Sequence, residues 1–432
     1  MTPPARFAAA IELLASIEAA PRKPADAIAN AFFRDRRFIG SGDRRAISTR
    51  TWAVIRGRRR LAWWLERAKM PVNPRLLVAA SLLTEGWTLE GVDQGFAGGQ
   101  FGPTHLSTAE ETGLQVIEGN ALTHPEMPQA TALEVPDWLV PLLSAKFGEQ
   151  TAAEMAAMDS EAPLDLRVNM LKGDRAQAQG ALRSEGIEAE LTNLSPWGLR
   201  IAGRRAVTTG VAFQSGLVEV QDEGSQLIAL LVDAKPGMRV VDYCAGAGGK
   251  TLAIAMGMEN RGHIVACDVH DKRLEGAVKR LRRAGVHNVE QHLLTEGDKW
   301  GKRRAGGFDR VLVDAPCTGT GTWRRNPDAR QRLRAVDLEE LRPKQAGILR
   351  DAAKLVRVGG RLVYATCSLL AEENEMQVSA FLDERPEFAV VPLAEAWPLP
   401  TPVPCEGPYL SLTPRMHGTD GFFAAVLERK AG

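Results

Sequence analysis

The sequence predicts an α/β protein: a parallel sheet with helices on both faces, preceded by a small α+β unit and an all-α N-terminal unit. Three observations predict it. Apolar residues keep helical spacing through the first part of the chain, strand and helix signals alternate from Gly216 onward, and one strand opens through a glycine-rich turn directly into a helix.

Phe7, Ile11, Leu14 and Ile17, then Ile47, Val54, Ile55, Leu61 and Leu65, then Leu76, Leu77, Leu82 and Leu83 mark a helical domain over residues 1–122. The proline-rich, aperiodic stretch 123–136 reads as a linker. A helix over 138–158 should lead into a strand at 164–169, a helix at 175–184 and short strands at 187–191 and 198–201, together an α+β unit over residues 137–215. The third domain, residues 216–430, should carry strands at 218–220, 239–242, 263–267, 289–294, 310–313 and 360–365. Helices at 224–231, 250–258, 272–284 and 337–356 fall between them, and 421–427 closes the sheet as an edge strand. The strands read as short apolar runs, the pattern of a sheet covered on both faces. There is no internal repeat or low-complexity tract.

At 432 residues, 44% hydrophobic and 25% charged, the chain has ordinary globular composition and enough length for several cores. The N-terminal residues carry no signal-peptide pattern and no apolar run is long enough to span a bilayer, so no membrane is expected. Five cysteines (Cys244, Cys267, Cys317, Cys367, Cys405) form an odd set without CxxC spacing, which argues against a disulfide framework and a zinc ribbon. A reducing cytoplasm fits them. The seven histidines are scattered, and no structural metal is expected.

A formal net charge of +1 hides strong local bias. Residues 34–69 hold twelve Lys or Arg against three acids, with Arg58, Arg59 and Arg60 beside Trp52, Trp63 and Trp64. Residues 272–304 hold ten cations and four acids, and a third basic stretch begins at Arg324 and Arg325. One such run is ordinarily a solvated helix face. Three of them favour a polyanionic partner.

The strand ending at Asp242 runs into Cys244-Ala245-Gly246-Ala247-Gly248-Gly249-Lys250-Thr251 and then a helix. Glycines there let the backbone approach a ligand, and the helix amino end presents free N–H groups. Asp268 ends the next strand, placed to accept both hydroxyls of a ribose. The spacing suits neither a Walker A loop nor the GxGxxG dinucleotide turn. An adenosyl ligand without phosphates remains, and S-adenosylmethionine is the common one.

Cys317, in Asp314-Ala-Pro-Cys317-Thr, and Cys367, in Tyr364-Ala-Thr-Cys367-Ser, each close a strand. Thiols at the carboxyl ends of parallel strands face the crevice where such sheets bind ligands. A lone cysteine of this kind is usually a buried small hydrophobe. Two at strand ends beside Asp314 suggest covalent chemistry with separate attack and release.

Taken as a set, the strings Gln221-Asp-Glu-Gly-Ser225, Asp242-Tyr-Cys-Ala-Gly-Ala-Gly-Gly-Lys250-Thr, Asp314-Ala-Pro-Cys317-Thr-Gly-Thr-Gly321, Arg325-Asn-Pro-Asp328, Tyr364-Ala-Thr-Cys367-Ser, Glu372-Glu373-Asn374-Glu375 and Gly421-Phe-Phe423 resemble one family. It is that of the RNA cytosine-carbon-5 methyltransferases of the bacterial Sun/Fmu (RsmB-like) type. The resemblance covers roughly the whole chain and is strongest from Gln221 onward. It departs in the cofactor turn, where the family often has Ala-Ala-Pro-Gly-Gly-Lys and this chain has Ala245-Gly-Ala-Gly-Gly-Lys250. Losing the proline should loosen the turn without removing the backbone approach.

The resemblance implies a Rossmann-like S-adenosylmethionine-dependent methyltransferase domain, an RNA-recognition-like subdomain and a NusB-like N-terminal domain. It also implies a structured RNA substrate, 16S rRNA or a small ribosomal subunit precursor; nothing in the sequence suggests an obligate partner, and a monomer is expected. Carbon 5 of cytosine is too weak a nucleophile to take a methyl group until a thiolate adds to carbon 6. An ordinary thiol supplies only a few per cent of thiolate at neutral pH. In this family the Thr-Cys thiol attacks, which makes Cys367 the nucleophile and Cys317 the releasing group; DNA cytosine methyltransferases attack from the Pro-Cys string instead. Asp314 would neutralise charge near ring nitrogen 3, with a raised pKa in a dry pocket, and the cofactor set also reaches it. Lys250 would orient Asp314 or the substrate, or merely cap the turn. Asp298, or Glu296 in its place, would accept from the adenine amino group, with Arg273 supporting the ribose region. Arg324, Arg325 and Asn326 would hold phosphates of a flipped or unpaired target. Two other classes compete: a ribosome-assembly factor that docks RNA on the same fold, and an amino- or small-molecule methyltransferase. Docking needs neither thiol, and the latter typically carries an Asn- or Asp-Pro-Pro-Tyr string.

Overall fold

The computed structural model describes every residue except Gly98, Arg204 and Gly432. The chain forms two compact units, Met1–Asp159 with Arg325–Ala335, and Ser160–Arg324 with Val336–Gly432.

The first unit is helical. Its inner helix, Pro74–Thr84, is capped by Asn73, whose side chain accepts from the Leu76 N–H at 3.0 Å, with Pro74 preset for the first turn. Leu76 to Leu83 are buried on every side, so this helix lies inside the bundle. The stretch 123–136 expected as a linker is packed instead. It contains the helix Gln129–Ala132 and the buried Met127, Leu133 and Val135. The cause is Glu134, only 1% exposed, whose carboxylate accepts from the Arg59 N–H at 2.6 Å, the Arg60 N–H at 3.2 Å and Arg60 Nε at 3.0 Å. Burial pushes the Glu134 carboxyl up, against the pull of the Arg60 guanidinium. The helix expected over 138–158 is two helices, Val140–Phe147 and Thr151–Met158, because Gly148 between them sits at φ +52°.

Arg60 therefore serves the fold. It is 8% exposed, and its second guanidinium nitrogen donates to Asp159 at 2.7 Å. Arg60→Met leaves Glu134 buried without its cation, and about 3–5 kcal/mol of unfolding free energy should be lost in urea titrations. The same substitution on a solvated phosphate contact would leave stability unchanged.

The second unit holds two sheets. The smaller is antiparallel with order β2-β3-β1-β4, formed by β1 (Leu164–Val168), β2 (Glu190–Leu191), β3 (Gly198–Ile201) and β4 (Val218–Val220). The strand expected at 187–191 is thus only its last two residues.

The larger sheet has β5 (Arg239–Asp242), β6 (His263–Asp268), β7 (Val289–Leu293), β8 (Phe308–Asp314), β9 (Val356–Thr366), β10 (Phe388–Val391), β11 (Leu410–Leu412) and β12 (Phe422–Arg429). Their order is β10-β12-β9-β8-β5-β6-β7, with β11 also on β12. The stretch β9-β8-β5-β6-β7 is parallel, whereas β12 runs antiparallel to β9, β10 and β11. The sheet is therefore mixed, and the expected edge strand at 421–427 is internal. Its run Phe423-Ala-Ala-Val-Leu427 is buried throughout, as befits a strand covered on both faces. Alternation sorts the core: Val240, Ile264, Leu312 and Val363 pack on one face, Val241, Val265, Val311 and Leu362 on the other. The carboxyl ends of β5, β6, β8 and β9 adjoin, and Asp314 is in register with Ala365, two residues before Cys367.

Candidate active site

The glycine turn follows β5 and opens the helix Gly249–Gly257. Gly246 at φ +54° and Gly248 at φ +79° take conformations that other residues resist, and a Cβ on Gly246 would meet open space. That open cradle beside a helix amino end fits an adenosyl ligand. Asp268 holds the turn: one carboxylate oxygen accepts from the Gly246 N–H and the other from the His270 N–H, both at 2.8 Å. Two guanidiniums pin the turn from outside. Arg280 donates to the Ala247 carbonyl at 2.7 Å, and Arg167, buried in β1, donates to the Gly249 carbonyl at 2.8 Å. Burial pulls Arg167 down to about 10. Neither arginine stood out as a site residue in the sequence; the one signal was a charge inside the apolar strand Leu164-Asp-Leu-Arg-Val168.

Beyond the turn, the two thiols meet. Cys317 Sγ and Cys367 Sγ are 3.4 Å apart and both cysteines are free. The hydrogen bond to Cys367 and then burial hold Cys317 well above the ordinary thiol range, so Cys317 keeps its proton. Lys250 Nζ donates to Asp314 Oδ2 at 2.7 Å. Burial alone would lower Lys250, but the Asp314 carboxylate and the nearby Cys367 raise it, and it stays cationic. The Asp314 side chain is 32% exposed and ion-paired, not enclosed in the dry pocket expected.

Behind the thiols lies a buried polar cluster. Glu373 accepts from Thr318, Ser368 and Gln345, and Asn374 bonds to Thr366 and Ser368. The Gly321 N–H donates to the Cys367 carbonyl at 2.9 Å, and its carbonyl accepts from the Gly421 N–H at 2.8 Å. A Cβ on Gly321 would lie 2.2 Å from the Gly421 carbonyl oxygen, so no larger residue fits that approach.

Asp242, at the end of β5, is 1% exposed and accepts from Thr251 Oγ1 at 2.7 Å. Burial raises it from 3.8 to about 7, with Thr251 offsetting part of the rise. Between those values the folded chain holds a proton that the unfolded chain has released. Stability from this group is therefore complete below the unfolded pKa and is lost as pH rises toward about 7. Asp242→Asn keeps an acceptor for Thr251 and should flatten that loss, as read from urea titrations at about pH 5 and about pH 8.

The remaining expected site residues differ in their surroundings. Arg324 is 4% exposed and donates to Asp420 and to the Gly418 carbonyl, so it is an internal anchor and not a phosphate contact. Arg325 and Asn326 belong to the helical unit. There Arg58 pairs with Glu18 and Arg59 with Asp137, both partly exposed, while Arg60 is buried as described. Asp298 accepts from His292 at 2.5 Å and from the Trp300 N–H at 2.8 Å, and His292 stacks on Trp300. Those bonds, Trp300 first, hold the Asp298 carboxyl below its ordinary range. Glu296 and Arg273 are exposed.

A mixed sheet with an open glycine turn after β5 and an acid closing β6 defines an S-adenosylmethionine-dependent methyltransferase. Within that class, residues 229–428 match the family model described as 16S rRNA methyltransferase RsmB/F, and residues 135–208 match the ferredoxin-like domain of RsmF/B-like methyltransferases. The probable ribosomal RNA small subunit methyltransferase B of Bacillus subtilis is 34% identical over 72% of this chain and 70% of its own. Its counterpart in Synechocystis is 30% identical over 90% of this chain and 91% of its own. The crystal structure of PH0851 superposes with a TM-score of 0.78 at 27% identity, covering 99% of both chains. The chain belongs to the RsmB/F family of rRNA small-subunit methyltransferases.

Proposed function

We propose that the chain methylates carbon 5 of a cytosine in 16S rRNA through a covalent bond between Cys367 and ring carbon 6. One observation carries the reading: two thiols 3.4 Å apart at adjoining strand ends, beside the Lys250–Asp314 ion pair. In this scheme Cys367 attacks and Cys317 releases. Asp314 would share a proton with the Lys250 Nζ bonded to it and donate that proton toward ring nitrogen 3, where negative charge develops as the thiolate adds. S-adenosylmethionine supplies the methyl group. Residues Cys244 to Lys250 would cradle it, with Asp268 and Arg273 near its ribose and Asp298 near its adenine. Arg58, Arg59, Arg325 and Asn326 remain the proposed RNA contacts. Attack on the ring face requires the base to be unpaired or flipped.

The three-part division (1–122, 137–215, 216–430), a monomeric state and a cytoplasmic location belong to the same proposal. The test is bisulfite sequencing of small-subunit rRNA with and without the gene. One cytosine should lose its mark and regain it when the purified chain acts on the unmodified subunit. An unchanged pattern would exclude cytosine-5 methylation and favour a docking role.

A further inference from the structure

We infer that Glu373 is the positioning residue that sets the spacing of the two thiols. The inference rests on the two-thiol reading above and assigns to the Glu372-Glu373-Asn374-Glu375 string a role in it.

Glu373 is fully buried, yet its carboxylate meets four donors. One oxygen accepts from the Thr318 N–H at 2.8 Å and from Gln345 Nε2 at 2.9 Å; the other accepts from Thr318 Oγ1 and Ser368 Oγ, each at 2.5 Å. Thr318 follows Cys317 and Ser368 follows Cys367. A single side chain therefore bonds the residue next to each thiol. Four bonds match the acceptor capacity of a carboxylate, which no other side chain offers in this space.

The glutamate is itself held. Its carbonyl accepts from Tyr364 Oη at 2.7 Å, and the next residue, Asn374, accepts from Thr366 Oγ1 at 2.5 Å and donates to the Ser368 carbonyl at 2.9 Å. Tyr364 and Thr366 lie on β9, the strand that delivers Cys367. Gln345 reaches in from the helix Ala335–Ala353 and donates also to the Pro316 carbonyl at 2.9 Å. The loop before Cys317 and the strand before Cys367 are thus tied to one anchor, away from the crevice.

The anchor also carries charge. Its carboxylate is among the groups that keep Cys317 protonated, after the Cys367 hydrogen bond and burial. Glu373→Gln retains the shape and part of the bonding but removes that charge. Glu373→Ala removes both. A residue that only stabilised the fold would change neither thiol's reactivity in the folded protein.

The experiment uses the full-length chain without RNA or methyl donor. Diamide, which takes two electrons and two protons as the Cys317–Cys367 bond forms, should close that bond at least roughly tenfold more slowly in Glu373→Ala, since the thiols are no longer held together. With RNA and methyl donor, Glu373→Ala should lose roughly a hundredfold in kcat with KM for RNA unchanged, and Glu373→Gln should recover most of it. If Glu373→Ala does not fold, diamide closure in Glu373→Gln decides, since an amide offers one acceptor oxygen to the four donors and should slow closure roughly threefold. Diamide closure at the parent rate in a folded Glu373→Ala overturns the inference, and so does closure at the parent rate in Glu373→Gln where Glu373→Ala does not fold. Failure of the parent chain to methylate cytosine would overturn the functional reading and leave the thiol readouts standing.

Discussion

Cys367→Ala should abolish methyl transfer to RNA, by at least about four orders of magnitude, while leaving cofactor affinity and melting temperature close to those of the parent. The size of the loss follows from the chemistry. Without addition at ring carbon 6, carbon 5 is too weak a nucleophile to take the methyl group, and the one thiol left beside it, Cys317, has the releasing role in the proposed scheme. Two neighbours suit Cys367 to the attacking role proposed for it. Cys317 Sγ sits 3.4 Å away, within hydrogen-bond reach of a thiolate at Cys367. Lys250 stays cationic and is itself raised by Cys367, so the pair sit close enough to feel each other's charge. The measurement is transfer of radiolabelled methyl to unmodified small-subunit RNA, with S-adenosylhomocysteine binding followed by calorimetry as the control. Activity retained in Cys367→Ala with lost activity in Cys317→Ala would move the nucleophile to the Pro-Cys string.

Much of this site is legible in the sequence because its parts lie at strand ends. Short apolar runs locate β5, β6, β8 and β9, and whatever follows each run must face the crevice, so Gly246, Asp268, Asp314, Cys317 and Cys367 can be named without coordinates. Arginines are another matter. Arg60 and Arg324 carry the same composition signal as Arg58 and Arg325, yet each is buried against a carboxylate, Glu134 or Asp420, far along the chain. A charge run reports local density; it cannot report which member meets a distant acid. Glu134 shows the converse. It sits in a proline-rich stretch with no periodicity, and only tertiary packing turns that stretch from linker into anchor. The misplacement of β12 has a similar origin, since the last strand in sequence need not be the last in the sheet. Its unbroken apolar run was the evidence for a covered position.

Cys317→Ala should accumulate a covalent protein–RNA adduct that survives denaturing gels and carries the transferred methyl, with turnover reduced to little more than one event per chain. After methyl transfer, carbon 5 still bears its proton, and Cys367 cannot leave until a base removes it. In the proposed scheme Cys317 is the base for that step, although in the resting protein it is held well above the ordinary thiol range. The largest cause of that elevation is the hydrogen bond with Cys367. Once the Cys367 sulfur is bonded to carbon 6 it is a neutral thioether. The interaction that kept Cys317 protonated is then gone, and Cys317 becomes easier to ionise at the stage when a base is required. In that scheme one contact would order attack and release: while Cys367 is free Cys317 supports its thiolate, and when Cys367 is committed Cys317 gains the capacity to act. Removing Cys317 should slow the first half, which loses that contact, and stop the second. An adduct in Cys367→Ala instead would reverse the two roles; no adduct in either variant would sink the covalent scheme.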